Sequence, residues 1–121
     1  MGLPKVVIVD DDYDHLEVLY HLLREHYEVI RCDSGEDAVP TIRASSPHVV
    51  IMDIRLQDID GTDVLREIRA DDQLKHLPVI ALTAFVEPGD REHYLEEGFN
   101  DHIRKPLFDV DPLIESIRRL L

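Results

Sequence analysis

Five short apolar runs, each followed by a segment of helical periodicity, constrain the fold more than any other feature of the sequence. The runs are Lys5–Val9, Glu28–Cys32, Val49–Met52, Val79–Leu82 and a weaker one at Asp101–Arg104. Alternation of this kind is typical of repeated βα units, in which helices connect parallel strands. Five such units are too few for a closed eight-stranded barrel. We therefore expect an α/β fold with an open, five-stranded, parallel, doubly wound sheet of flavodoxin-like order 2-1-3-4-5 and helices on both faces.

The composition of the runs predicts where each strand lies in that sheet. The segments Val6–Val9, Val49–Met52 and Val79–Leu82 are apolar throughout. Strands of this kind are typical of the centre of a parallel sheet that helices cover on both faces. Glu28 and Arg31 interrupt the second run, so we expect it to form an edge strand.

The helical segments carry recognisable start and stop signals. The last one places Val110, Leu113, Ile114, Ile117, Leu120 and Leu121 on one face. We expect the third helix to begin at Gly61–Thr62 and the fourth to run from about Asp90 to Gly98. Pro40 lies several residues after Ser34, where the second helix should start, and removes one backbone hydrogen bond. This helix should therefore kink or begin late.

Size and charge bound the functions that are open to the chain. Its 121 residues carry 26 acidic and 13 basic side chains, a formal net charge of -13. Such a chain repels phosphate backbones and anionic lipids, so we expect it to bind neither nucleic acid nor membranes. No apolar run is long enough for a signal peptide or a membrane span. We expect one domain over residues 1–121, without an output domain, in the cytoplasm.

The residues that follow the strands suggest a site. Ligands of doubly wound sheets bind beyond the carboxyl ends of the strands, at the point where the strand order reverses. The first strand leads into Asp10-Asp11-Asp12, the third into Asp53, the fourth into Thr83 and the fifth into Lys105. Clustered carboxylates repel one another unless a cation lies among them, and Mg2+ prefers oxygen ligands. Asp53 is then the candidate nucleophile for a phosphoryl group, and Thr83 and Lys105 are candidates to bind its oxygens.

These motifs resemble the response regulator receiver domain across essentially the whole chain. They are Val6-Val7-Ile8-Val9-Asp10-Asp11-Asp12, Val50-Ile51-Met52-Asp53 with Asp60-Gly61, Ala81-Leu82-Thr83-Ala84 and Lys105-Pro106. The resemblance implies that Asp53 accepts a phosphoryl group from a histidine kinase or a histidine phosphotransfer protein. It implies that Asp10, Asp11, Asp53 and the backbone carbonyl of Arg55 bind Mg2+, while Thr83 and Lys105 sense the phosphoryl group.

The same resemblance implies how the signal is passed on. A downstream protein would bind the face formed by the fourth helix, the fifth strand and the fifth helix, within residues 87–94, 101–104 and 111–119. The chain would not be an enzyme, apart from promoting its own phosphorylation and autodephosphorylation. Residues two positions after Asp53 and after Thr83, here Arg55 and Phe85, would tune the lifetime of the acyl phosphate. We expect Phe85 to shield the phosphoryl group and to slow its hydrolysis.

The sequence departs from the family pattern at two positions. His102 stands three residues before Lys105, where the family usually has an aromatic residue that switches its rotamer. It is either a swinging, titratable switch or an ordinary surface histidine. Gln57 stands where a proline is common in the loop after Asp53, so this loop should be less rigid.

Two other functions are compatible with parts of the sequence. Asp10 and Asp12 form the D-x-D arrangement of a haloacid-dehalogenase-type phosphatase, although the chain looks too short for that fold and the Asp53 motif would have no role. We expect Asp12 and Asp14 to cap the first helix and to complement its dipole, in preference to direct contact with a metal ion. A phosphorylation-independent binding module is the second alternative.

Overall fold

The computed structural model describes residues 2–84, 87–105 and 110–121, and within them strands and helices alternate strictly. In chain order the elements are β1 (Lys5–Val9), α1 (Tyr13–Leu23), β2 (Glu28–Cys32), α2 (Ala38–Ser45), β3 (Val49–Asp53), α3 (Gly61–Ala70), β4 (Val79–Thr83), α4 (Asp90–Glu97), β5 (Asp101–Arg104) and α5 (Asp111–Leu120). The predicted order of elements is confirmed.

The strands form one parallel sheet of order β2-β1-β3-β4-β5, as the sequence predicts. The three apolar strands β1, β3 and β4 are central, and β2 is an edge strand. Strands β3 and β4 each extend one residue further than the apolar runs, so Asp53 and Thr83 are the last residues of their strands. Because all strands are parallel, their carboxyl ends lie along one edge of the sheet.

Two apolar layers cover the two faces of this sheet. Successive side chains of a strand point to opposite faces. Val7 and Val9 of β1 accordingly pack with buried residues of α2 and α3, while Val6 and Ile8 pack with buried residues of α1 and α5. Helix α4 has no fully buried residue and contributes a partly buried Tyr94 to the first layer. The apolar layers hold the central strands, and hence the residues at their carboxyl ends, in a defined register.

The helix boundaries have local causes. Helix α2 begins late, at Ala38, and Pro40 lies in its first turn, where its missing N–H has no intrahelical partner to lose. Asp12 caps α1 by accepting hydrogen bonds from the backbone N–H groups of Asp14, at 2.9 Å, and His15, at 3.2 Å. Helix α3 begins at Gly61, and α4 is followed by Gly98 with a φ of 117°. These observations confirm the sequence predictions.

The end of α5 differs from the periodic pattern. Leu113, Ile114 and Ile117 are buried as expected, but Leu121 is 53% exposed because it follows the last helical residue.

No helix in the described ranges is both long enough and apolar enough to cross a bilayer.

Candidate functional site

Three carboxylates meet at the carboxyl ends of β1 and β3. Asp10 and Asp11 directly follow β1, and Asp53 ends the neighbouring strand β3. Each of the three offers a carboxylate oxygen that lies within 4.8 Å of the other two. Asp10 and Asp53 are buried and Asp11 is half-buried. The structure therefore brings together the three acidic side chains that the sequence predicts for a metal site.

Lys105 brings a positive charge into this cluster. Its Nζ lies 2.6 Å from Oδ2 of Asp10 and 3.3 Å from Oδ2 of Asp53, and its side chain is buried. The backbone explains the placement, since the N–H of Lys105 donates a 2.7 Å hydrogen bond to the carbonyl of Thr83. Thr83 is buried at the end of β4, the strand that pairs with β3. All five predicted residues thus occupy one edge of the sheet.

The charges of the cluster do not balance. Three carboxylates face one ammonium group, which leaves two negative charges, the charge that one divalent cation neutralises. Burial raises the pKa of Asp53, and the nearby Asp10 raises it further, while Lys105 and a backbone hydrogen bond from Arg55 oppose this shift. The donor set is made of oxygens, which Mg2+ prefers. The residues present therefore fit a magnesium ion.

Backbone N–H groups hold each of the three carboxylates. Asp10 Oδ1 accepts from Asp12 at 2.9 Å, and Asp53 Oδ1 accepts from Arg55 at 3.2 Å. Asp11 Oδ2 accepts from the N–H of Gln57 at 2.7 Å. The first two bonds span two residues of the chain, whereas the third connects two loops.

Gly61 allows α3 to start directly beside the strand end that carries Asp53. A Cβ at this position would lie 2.5 Å from the carbonyl oxygen of Asp53 and 2.9 Å from Cα of Ile54. The N–H of Gly61 donates a 2.8 Å hydrogen bond to the carbonyl of Ile54. The Asp60-Gly61 motif therefore has a steric role, because only glycine permits this approach.

His15 also belongs to the site, which sequence reasoning missed. Its Nδ1 lies 3.1 Å from Nζ of Lys105 and 3.5 Å from Oδ2 of Asp10, and half of its side chain is exposed. A sequence signal was present, because His15 lies in the first turn of the helix that follows Asp10-Asp11. That turn necessarily lies near the carboxyl edge of the sheet.

His102 is buried, so the interpretation as a surface histidine is wrong. Its ring lies against Tyr94 of α4, with 5.1 Å between ring centroids, and the residue as a whole is 8% exposed. Within the described residues its Nε2 has no hydrogen-bond partner. Burial lowers the pKa of His102, and the nearby Arg91 lowers it further, against the opposite effects of Asp90 and Asp101.

Asp101 connects α4, β5 and α5, which sequence reasoning missed. This buried carboxylate accepts hydrogen bonds from Arg91 of α4 at 2.8 Å, from Arg119 of α5 at 2.9 Å and from the buried hydroxyl of Ser116. The side-chain network lies within the face that the family resemblance implies for a partner. An acidic residue at the start of a predicted strand was the available signal.

The structure also bears on the remaining sequence predictions. Asp12 caps α1 and is not one of the clustered carboxylates among the described residues, which argues against the D-x-D arrangement of a phosphatase. Arg55 lies in the loop after Asp53, as predicted, and is exposed. Phe85 and Pro106 lie outside the described residues.

The fold and the acidic site define a class of signalling domains. The family model of the response regulator receiver domain matches residues 6–118. The chain belongs to this family and is thus a receiver domain of two-component signalling.

Individual relatives span nearly the full chain. The polar-differentiation response regulator DivK of Brucella anthropi is 36% identical over 98% of both chains. The solved receiver domain of the sensor histidine kinase PA1611 from Pseudomonas aeruginosa has a TM-score of 0.88 and 33% identity, over 98% of both chains. A magnesium ion is coordinated in the active-site cleft of that protein. The chemotaxis regulator CheY4 of Vibrio cholerae has a TM-score of 0.88 and 25% identity over 98% of this chain and 99% of that chain.

Proposed function

We propose that this receiver accepts a phosphoryl group on Asp53 from a histidine kinase or a histidine phosphotransfer protein, in a reaction that depends on Mg2+. The observation that carries the proposal is the position of Asp53. Its carboxylate lies at the carboxyl edge of the sheet, 3.3 Å from the ammonium group of Lys105 and close to two further carboxylates. A carboxylate after a fully apolar strand has no evident structural task there.

In the proposed reaction a carboxylate oxygen of Asp53 attacks phosphorus, so that an O–P bond forms and the P–N bond to the donor histidine breaks. The donor imidazole leaves and takes up a proton. Lys105 is placed to stabilise negative charge on the transferred group, because its Nζ already contacts the accepting carboxylate. Thr83 ends the neighbouring strand, and we assign its hydroxyl to the phosphoryl oxygens.

Asp10, Asp11, Asp53 and the backbone carbonyl of Arg55 would hold the magnesium ion. When bound, Mg2+ would neutralise the excess negative charge and polarise the oxygens of the incoming group. The charge imbalance of the cluster supports this assignment. The magnesium ion in the similar PA1611 receiver supports it as well.

We further propose that phosphorylation changes the face formed by α4, β5 and α5, to which a downstream protein binds. The Asp101 network supports this choice, because it links both helices to β5. The contact between Tyr94 and His102 links α4 to the same strand. A rearrangement at Thr83 and Lys105 would thus act on residues that are already in mutual contact.

The central experiment identifies the phosphorylated residue. The chain is incubated with Mg2+ and acetyl phosphate or a phospho-histidine donor, the acyl phosphate is reduced with borohydride, and peptides are mapped by mass spectrometry. We expect one label, on Asp53, that Asp53→Asn or EDTA abolishes. Label on Asp10 would refute the proposal and favour the phosphatase alternative.

Partner binding tests the second part of the proposal. Beryllofluoride with Mg2+ mimics the phosphorylated state, so a pull-down with and without it should recover different partners. The matched control is Asp53→Asn, for which the two samples should agree. If the mimic changes no partner, the phosphorylation-independent binding module is favoured.

The tuning role of Phe85, a cytoplasmic location and the absence of an output domain stay predictions. Autodephosphorylation of Phe85→Ala tests the first of them, since loss of a shielding ring should speed hydrolysis. An unchanged or slower rate would contradict the shielding role.

A further inference from the structure

The loop between β3 and α3 reaches across the site and contacts Asp11. The backbone N–H of Gln57 donates a 2.7 Å hydrogen bond to Oδ2 of Asp11, which lies 46 residues away in the sequence. We propose that this N–H is a positioning group that orients Asp11 for binding a divalent cation. The inference rests on the proposed magnesium site and adds to it a group that supplies no ligand atom.

The three carboxylates differ in how they are held. Asp10 and Asp53 each accept a hydrogen bond from a backbone N–H two residues further along. These bonds form within a single turn of chain. Asp11 instead accepts a hydrogen bond from the other loop, and this bond requires the two loops to be in register.

The loop that supplies this donor is anchored beyond Gln57. Asp58 accepts hydrogen bonds from the N–H groups of Gly35, at 3.1 Å, and Glu36, at 2.8 Å. Asp60 caps α3 by accepting from the N–H of Thr62 at 3.1 Å. These anchors fix the backbone near Gln57, so its N–H is placed before any cation binds.

The chemistry of a carboxylate makes this contact compatible with metal binding. A carboxylate has two oxygens, and a hydrogen bond to one leaves lone pairs on both for a cation. Groups that orient metal ligands typically change metal affinity by 10- to 100-fold when they are removed. Every residue except proline supplies the required N–H, so the role belongs to the main chain at position 57 and not to the glutamine side chain.

The sharpest test changes only this N–H. Gln57→Ala keeps it, and the same variant made with lactic acid at position 57 replaces the amide with an ester and removes it. Mg2+ affinity is measured by calorimetry, because the chain has no tryptophan to report binding by fluorescence. We expect Gln57→Ala to bind Mg2+ as the wild type does, and the ester to bind about 10-fold more weakly. Gln57→Pro should weaken binding in the same direction.

A purely structural role of the bond predicts a different result. The ester would then lower the melting temperature in EDTA while its Mg2+ affinity equalled that of Gln57→Ala, and this outcome would overturn the inference. Tighter binding by the ester would overturn it too, since the N–H would then hold Asp11 away from the metal. If the wild type itself bound no Mg2+, the proposed magnesium site would fail first, which separates the two hypotheses.

Discussion

Replacing Lys105 with methionine tests the electrostatics of the site most directly. Methionine keeps much of the side-chain volume and removes the charge that lies 2.6 Å from Asp10 and 3.3 Å from Asp53. Breaking a buried ion pair by removing one partner costs about 3–5 kcal/mol. Both carboxylates keep a backbone hydrogen bond, so we expect the lower end, a loss of about 3 kcal/mol in the free energy of unfolding.

The assay is thermal and urea unfolding in EDTA at neutral pH. A loss of that size lowers the melting temperature of a domain of this length by roughly 10 °C. Saturating Mg2+ should then raise the melting temperature of Lys105→Met more than that of the wild type, because the ammonium group no longer competes for the carboxylates. Lys75→Met is the matched control. Its Nζ lies 3.5 Å from an exposed Asp72, and such surface pairs contribute less than about 1 kcal/mol.

A double variant identifies the cause of the lower free energy of unfolding. If unpaired, repelling carboxylates cause the loss, adding Asp53→Asn to Lys105→Met should restore part of the stability. The reasoning is refuted if Lys105→Met unfolds within 1 kcal/mol of the wild type. It is also refuted if the second substitution lowers the stability further.

Three further predictions follow from other parts of the structure. Gly61→Ala should lower the unfolding free energy by roughly 2 kcal/mol and slow phosphorylation of Asp53, because its Cβ would lie 2.5 Å from the carbonyl of that residue; unfolding and phosphotransfer assays measure both. The lowered pKa of His102 means that the unfolded chain binds its proton more readily. The contribution of neutral His102 to the free energy of unfolding is therefore present above about pH 6.5. It is lost as the pH falls from there through the lower pKa of the folded state, and urea unfolding at several pH values measures this loss. Asp101→Asn should lower the free energy of unfolding by about 2 kcal/mol, because it weakens the charge-assisted hydrogen bonds from α4 and α5; urea unfolding measures this loss.

The first two of these predictions have a control in the same chain, and the third has a result that would contradict it. Gly2→Ala serves for Gly61→Ala, since nothing lies within 4 Å of its added Cβ, and equal effects of the two would contradict the steric argument. For the pH dependence, His102→Phe should show a flatter profile below pH 6.5, and identical profiles would rule out a contribution from this residue. If Asp101→Asn unfolds like the wild type, its network does not hold the two helices together.

Sequence reasoning reached the topology and the main site because both follow from local patterns. Fully apolar runs separated by helical periodicity predict parallel central strands, and parallel strands place their carboxyl ends along one edge. Asp53 and Thr83 could therefore be assigned to one site without knowledge of any distance. The late start of α2 followed in the same way from the missing N–H of Pro40.

The contacts between elements were decided only by the tertiary structure. Lys105 and His15 are 90 residues apart and meet because α1 begins, and β5 ends, near the carboxyl edge of the sheet. The burial of His102 against Tyr94 depends on how α4 packs on β5, and no periodicity in either segment indicates it. The N–H of Gln57 is the clearest case, because almost any residue offers the same backbone donor. The sequence alone determines which side chains stand at the strand ends, whereas the paths of the loops decide which main-chain groups hold them in place.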